Sequence, residues 1–375
     1  MNETVEPATQ REALFCSKPF EFLDVGAHPR RGDAYLCCPS WLPKPAGNLS
    51  HSSVEEVWNG EAARSIRRSI LDGSFRHCSK NCPFLESATG PVQKVSQVTN
   101  PFHLEILARQ SESLTRGPRV VNAAFDRSCN LSCPSCRTRK IIEKNDKDEI
   151  LALQRKIELS ALSEARVLYI TGSGDAFGSP YFFSWLRSLD VSPYPKLRLH
   201  IHTNAQLLTP QRWGKISPEV RERIDTCDIS IDAASAATYL LNRRGGEWET
   251  LLENLGFICQ LRKAGELRHV MISMVVQENN FSEMPQFVRL GNRFAVDHVY
   301  FRHLVDWGSF GRDELAQRSI HLESHPRHAE LLEVLGDSSL HDPTVDLGKL
   351  GELVPARCRH VAGGDGYGGD YEAIE

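Results

Sequence analysis

A parallel α/β sheet, curled into a partial barrel of six strand–helix units behind a small cysteine-rich module, is the fold this sequence predicts. Two observations predict the sheet. From about residue 119, short apolar runs alternate with amphipathic runs of helical period. Such alternation builds parallel sheets, and six units are too few for the closed eight-fold barrel. A third observation predicts the module: eight of the 11 cysteines crowd into residues 16–136, in two tight sets.

Taken in order, residues 1–90 are rich in Cys, Pro, Gly and aromatics. They hold one amphipathic stretch, "SSVEEVWNGEAARSIRRSILDGSF", which Ser52 or Ser53 can cap and Gly73 ends. Residues 91–118 open in a polar, turn-rich run and are expected to be a linker. The barrel is expected over 119–305. Its strands are "RVVNAAF", "ARVLYITGSGD", "KLRLHIHTN", "DTCDISIDAA", "HVMISMVVQ" and "VDHVYFRHL". Between them, "IIEKNDKDEILALQRKIELSAL", "PYFFSWLRSL", "TPQRWGKI", "WETLLENLGFICQLRKAG" and "FSEMPQFVRLGNRF" have helical character. Residues 306–375 form an extension with one predicted helix, "HPRHAELLEVLG". It ends in a Gly-rich acidic tail expected to be mobile. Ligands should gather at the carboxyl ends of the strands.

The chain has 375 residues and a formal net charge of -4. It lacks the basic footprint of a nucleic-acid binder. No run approaches the ~18 apolar residues of a membrane span, and the polar start is unlike a signal peptide. These features predict a cytoplasmic protein. In a reducing compartment the cysteines point to metal or catalysis rather than to disulfides.

"CNLSCPSC" places Cys129, Cys133 and Cys136 directly after the first predicted barrel strand. Zinc takes four protein ligands, or three plus water, so a zinc knuckle completed by a distant His or Cys is one reading. A cubane cluster normally takes four thiolates, so three leave one iron open to a small chelating ligand. The Cys-x3-Cys-x2-Cys loop resembles that of the radical S-adenosylmethionine superfamily. The resemblance extends through "TGSGD", "HTNA", "SIDA" and "NRRGGEW", in the family's order. It implies a [4Fe-4S] cluster with an open iron site, which chelates S-adenosylmethionine and cleaves it to a 5′-deoxyadenosyl radical. It further implies that Gly172, Gly174 and Asp175 bind the cofactor's amino group, with Asn204 at the next strand end. Ser230 and Asp232 share a strand face suited to a ribose, and Arg244 is the candidate for the carboxylate. The residue before the third cysteine departs from the family's aromatic: it is Ser135. Adenine packing then falls to Val275 or Val276.

Cys16, fifteen residues, Gly32, four residues, Cys37, followed by "EEVWNG" and "FRHCSKNCP", resembles the SPASM auxiliary iron–sulfur domain. That resemblance implies one auxiliary [4Fe-4S] cluster on Cys16, Cys37, Cys78 and Cys82. Cys38 is the alternative to Cys37. Such domains usually follow the radical core, and complete ones carry more cysteines and two clusters. Four cysteines also suit a zinc ribbon.

The two resemblances together imply a radical enzyme that oxidises, or oxidatively bonds, a peptide or small polar substrate. An external reductant such as flavodoxin or ferredoxin would supply electrons. Cys358 is the candidate hydrogen donor for an epimerase instead, and a zinc-binding interaction protein is the reading from another class. Cys227 and Cys259 have the parity of core residues. Arg198, His200, His202 and Asn204 share one face of a strand and are candidate contacts. Arg302 and His303 point to opposite faces, and Trp58 and Trp307 are expected to be packing.

Overall fold

The computed structural model describes residues 13–27, 29–171 and 173–354. Its strands are β1 (Leu14–Cys16), β2 (Phe22–Gly26), β3 (Asp33–Tyr35), β4 (Gly47–Asn48), β5 (Val92–Lys94), β6 (Val120–Ala124), β7 (Val167–Ile170), β8 (Arg198–Thr203), β9 (Ile224–Ser230), β10 (His269–Val276), β11 (His298–His303) and β12 (Val345–Asp346). β1 and β5 form an antiparallel pair. The other ten make one sheet, in the order β12-β11-β10-β9-β8-β7-β6-β2-β3-β4.

The six predicted strands are β6 to β11, consecutive and parallel. The sheet is longer than expected at both edges. β2, from the cysteine module, pairs parallel with β6, Phe22 opposite Val120 and Gly26 opposite Ala124. β12 joins β11 at the other edge. β2 is buried along its whole length, as a strand inside a parallel sheet should be. Its five residues centre on Asp24, which breaks the apolar run that would have announced it.

Residues 91–118, expected to be a linker, carry regular structure. β5 pairs with β1, and helix Pro101–Arg109 is capped by the Asn100 side chain with Pro101 in its first turn. The segment is then bound to the module. Trp58 Nε1 donates to Arg116 O at 2.7 Å, and the fully buried Arg67 donates to Glu112 O at 3.1 Å while lying 4.5 Å over the Trp58 ring. Turn-rich composition is local information, whereas these partners lie far away in sequence.

The single amphipathic stretch predicted before it is two helices, Val54–Asn59 and Glu61–Leu71. Ser53 and Glu56 form a capping box. The break is at Gly60, where a Cβ would lie 2.3 Å from Glu56 O. The helix expected from Ile141 begins only at Lys147. "TPQRWGKI" makes a single turn, Pro210–Trp213. Helices Ala236–Asn242 and Arg312–Arg318 are additional.

One face of the sheet carries Leu23, Val121, Leu168, Leu199, Ile229 and Ile272 into the main core with the helices. The opposite face carries Asp24, Asn122, Tyr169, His200, His202, Asp228, Ser230 and Ser273. The interior of the curled sheet is therefore polar. Module and core are also clamped together: Arg31, on the loop into β3, pairs with Glu143 at 3.4 Å, Asp146 at 2.8 Å and Glu149 at 3.5 Å, and donates to Phe125 O. Among the described residues no helix is long and apolar enough to cross a membrane.

Candidate functional site

The loop after β6 holds the three-cysteine set at the carboxyl end of the sheet. Asp126, fully buried, fixes its start by accepting from Ser128 N at 2.9 Å, Ser128 Oγ at 2.8 Å and the Ser179 hydroxyl. Cys129 N donates to Ile141 O at 2.9 Å and closes its end. Cys129 and Cys133 are buried and Cys136 is exposed. Each sulfur has a donor. Leu131 N lies 3.4 Å and Asn204 Nδ2 3.6 Å from Cys129 Sγ. Arg243 Nη1 lies 3.8 Å from Cys133 Sγ. Arg137 Nε and Nη2 lie 3.4 and 3.3 Å from Cys136 Sγ. Donors on every sulfur favour thiolates over thiols. Burial alone works the other way: it pushes Cys129 up to about 12, aided by Asp175 and opposed by Arg137. This donor set fits a buried polythiolate centre that must hold negative charge.

The "TGSGD" turn does not present its carboxylate. Asp175 is 1% exposed, and its oxygens accept from Phe177 N at 3.0 Å, Gly178 N at 2.7 Å, Thr203 Oγ1 at 2.9 Å and Asn204 N at 2.7 Å. Four donors use up both oxygens, so Asp175 ties β7 to β8 and has no capacity left for an ammonium. Gly174 is required by close approach: a Cβ there would lie 2.6 Å from both Asp126 O and Ser128 O. Gly172 lies outside the described residues. Asn204 turns to the cysteine loop, donating to Asn130 Oδ1 at 3.0 Å besides Cys129.

Arg244 is exposed, and only its backbone oxygen reaches the loop, accepting from Ser132 N at 3.0 Å. Arg243 takes the interior place instead. Its guanidinium pairs with Asp232 at 2.9 Å, with side chains 11% and 2% exposed. Burial works against the Arg243 charge, but Asp232 and then Cys133 outweigh it and hold the group above its ordinary range. Sequence reading missed Arg243 because two arginines stand side by side, and only the chain path selects one. It missed Arg137 too. The signal there was its place directly after the third cysteine. Asp232 adopts φ 59°, the left-handed region that non-glycine residues enter at a cost and often near function. Its Oδ1 accepts from Val275 N at 2.7 Å. Val276 is fully buried in the core, while Val275 is partly exposed beside Asp232.

Ser230 opens the polar interior. Its Oγ lies 2.7 Å from His202 Nε2. Asp228 accepts from Ser273 Oγ at 3.0 Å and stands 3.5 Å from Arg302 and 3.9 Å from His202. Burial depresses His202, against Asp228. Arg302 faces this interior, whereas the His303 ring stacks edgewise on His321, 5.1 Å away. Arg198, at the far end of β8, reaches only Glu222 O. Trp58 is buried, but Trp307 is 64% exposed and packs on nothing in the core. Cys227 and Cys259 lie in or against the core. Cys358 lies outside the described residues.

The first cysteine set converges. Cys16, Cys37, Cys78 and Cys82 line one small cavity, walled by Trp41, Phe75 and Phe84. Cys38, next in the chain, is not on it. Burial raises Cys16 to about 12 and Cys78 to about 11, and neighbouring cysteines add to both. Lys18 lies close enough to Cys16 and Cys37 to oppose the rise. Among the described residues, no three His, Cys, Asp or Glu side chains are drawn together tightly enough for a single ion.

The comparison with protein families decides what this module is. Residues 16–83 match the family model for SPASM, described as an iron–sulfur cluster-binding domain. The chain carries a SPASM domain. All four cavity cysteines fall inside the matched residues of this SPASM domain. No curated protein matches the chain. Among solved structures, TYW1 with a lysine-pyruvate adduct bound is similar at 18% identity and TM-score 0.36, over 56% of this chain and 70% of that one. Streptococcus suis SuiB bound to its precursor peptide SuiA is similar at 14% identity and TM-score 0.37, over 67% and 55%. His-tagged anSMEcpe with bound AdoMet is similar at 15% identity and TM-score 0.37, over 50% of each chain. The chain spans about half the length of the SuiB and anSMEcpe chains that it matches.

Proposed function

We propose that this protein is a radical S-adenosylmethionine enzyme with an N-terminal SPASM domain. In this reading it abstracts hydrogen from a peptide or small polar substrate and completes an oxidation or an oxidative bond formation. Supporting the reading most directly is the three-cysteine loop at the carboxyl end of a parallel sheet, with a hydrogen-bond donor on every sulfur. Cys129, Cys133 and Cys136 would hold a [4Fe-4S] cluster, and Cys16, Cys37, Cys78 and Cys82 an auxiliary one. When bound, the first cluster supplies the electron that cleaves S-adenosylmethionine to methionine and a 5′-deoxyadenosyl radical. Arg137, Arg243 and Asn204 hold the thiolates in place and offset their charge. Asp232, fixed by Arg243 and Val275 N, and Ser230, fixed by His202, present hydroxyl and carboxylate edges toward a ribose. Asp175 sets the loop geometry without touching the cofactor. Asp228, Ser273 and Arg302 line the interior where substrate would lie. An external reductant such as flavodoxin or ferredoxin would supply the electrons, and the cytoplasm is the expected compartment.

Anaerobic reconstitution tests this. About eight irons per chain are expected, about four after Cys129, Cys133 and Cys136 are all replaced by Ala, and 5′-deoxyadenosine should form under reducing conditions. Zinc without iron, or no 5′-deoxyadenosine, would overturn the proposal in favour of a zinc-binding interaction protein. Solvent deuterium in an otherwise unchanged product, with turnover arrested in Cys358→Ala, would replace oxidation by epimerisation.

A further inference from the structure

Acceptor atoms gather on the polar face of the sheet with too few donors to satisfy them. Asp24, Asn122, Tyr169 and His200 are register partners across β2, β6, β7 and β8, so they share that face. Asp24 and Asn122 are 7% and 8% exposed. The Asn122 amide lies near enough to the Asp24 carboxylate to favour its charged form, and the Asn122 Oδ1 is buried without a partner. Beyond Tyr169, whose ring stands edge-on to His200 with centroids 4.8 Å apart, His200 Nε2 is likewise buried without a partner. Burial, with His269 adding to it, pushes His200 down to about 4. The ring is then neutral at pH 7, and the tautomer with its proton on Nδ1 leaves Nε2 as an acceptor. Burial pushes the Asp24 carboxyl up to about 7, although Asn122 and Lys18 pull it down. That too is the mark of a carboxylate short of donors.

Two neighbours place this layer. Beneath it, Phe22, Val120 and Val167 close the floor of the interior. Beside it, Lys18 lies 4.3 Å over the Phe22 ring and acts electrostatically on both Asp24 and the cavity cysteines Cys16 and Cys37. Lys18 thus links the Asp24 end of the layer to the four-cysteine cavity. A purely structural role explains it poorly. A buried acceptor left unmet costs about 1–3 kcal/mol, and an apolar side chain would remove that cost. Such deficits call for a partner from outside the chain, a water, an ion or a ligand group.

We propose that Asp24, Asn122 and His200 form the seat for a donor-bearing end of the substrate, an amino or hydroxyl group rather than a carboxylate or phosphate. This rests on the enzyme reading above and narrows its substrate class.

The test uses the full-length reconstituted protein in differential scanning calorimetry, with ethanolamine hydrochloride and sodium acetate as probes at equal ionic strength. Ethanolamine should raise the wild-type Tm saturably, and acetate should not. Asn122→Leu should raise the Tm without any probe and abolish the ethanolamine shift, and Asp24→Asn should at least halve that shift. An Asn122→Leu variant that is less stable than wild type, or an ethanolamine shift equal in wild type and Asp24→Asn, would overturn the proposal and make the layer a structural one. Should Asn122→Leu not fold, that too counts against it. Formation of 5′-deoxyadenosine by the wild type reports separately on the enzyme reading, so the two failures are distinguishable.

Discussion

Arg243→Ala should destabilise the protein, whereas Arg244→Ala should not. Arg243 and Asp232 form an ion pair at 2.9 Å with side chains 11% and 2% exposed. Removing one partner of a buried pair costs about 3–5 kcal/mol, because the other charge stays behind uncompensated. Asp232 keeps one bond, from Val275 N at 2.7 Å, which argues for the lower end, about 3 kcal/mol. That is roughly a hundredfold in the unfolding equilibrium. Arg244 is exposed, and such substitutions usually stay within about 0.5 kcal/mol. The assay is urea unfolding of wild type, Arg243→Ala, Asp232→Asn and the double variant. Neutralising Asp232 in the Arg243→Ala background should recover about 2 kcal/mol as a coupling term. Iron retention by the three-cysteine loop, read in parallel, should fall in Arg243→Ala, because Nη1 lies 3.8 Å from Cys133 Sγ. If Arg244→Ala costs as much as Arg243→Ala, or the double variant shows no coupling, the assignment of Arg243 to the interior is wrong.

Three further outcomes are expected. Gly174→Ala should lose iron from the Cys129 loop but keep it in the SPASM domain, since the added Cβ meets two backbone oxygens of that loop at 2.6 Å; iron analysis with the SPASM cysteines intact checks it. Arg31→Ala removes charged bonds to Glu143, Asp146 and Glu149 and should cost about 2–3 kcal/mol, with hydrogen exchange rising together around Arg31 and in helix Lys147–Lys156. The third concerns pH. The Asp24 carboxyl is raised to about 7 in the fold against about 3.9 in the unfolded chain. The fold therefore favours its neutral form, and ionisation penalises the native state. Wild type should lose stability relative to Asp24→Asn as pH rises from about 4 to about 7, by a few kcal/mol, and the difference should level off above 7. A difference that grows on acidification would contradict this.

The six-strand core was legible in the sequence because its strands are apolar runs at regular intervals with helical stretches between them. Local pattern sets such elements. The loop of Cys129, Cys133 and Cys136 was legible for a similar reason, since three thiols in eight residues need no tertiary information. The Cys16–Cys82 set could be grouped by its order and by its resemblance to a known spacing, and four of its cysteines line one cavity.

What the sequence could not decide depends on distant pairing. β2 holds an aspartate at its centre and becomes a buried strand only because β6 lies alongside it. Residues 91–118 look like a connector until β1 and Trp58 supply partners. Asp175 looks like a ligand residue by motif, yet two backbone amides of its own loop and two donors at the end of β8, Thr203 Oγ1 and Asn204 N, consume its oxygens. Between Arg243 and Arg244 the motif pointed to Arg244. The turn through Gly245 at φ 92° helps send one guanidinium to Asp232 and leaves the other in solvent. Composition and spacing thus determine which chemistry the chain can carry. Which carboxylate or guanidinium stays free to carry it depends on where the backbone donors and counter-charges fall, and only the packed chain decides that.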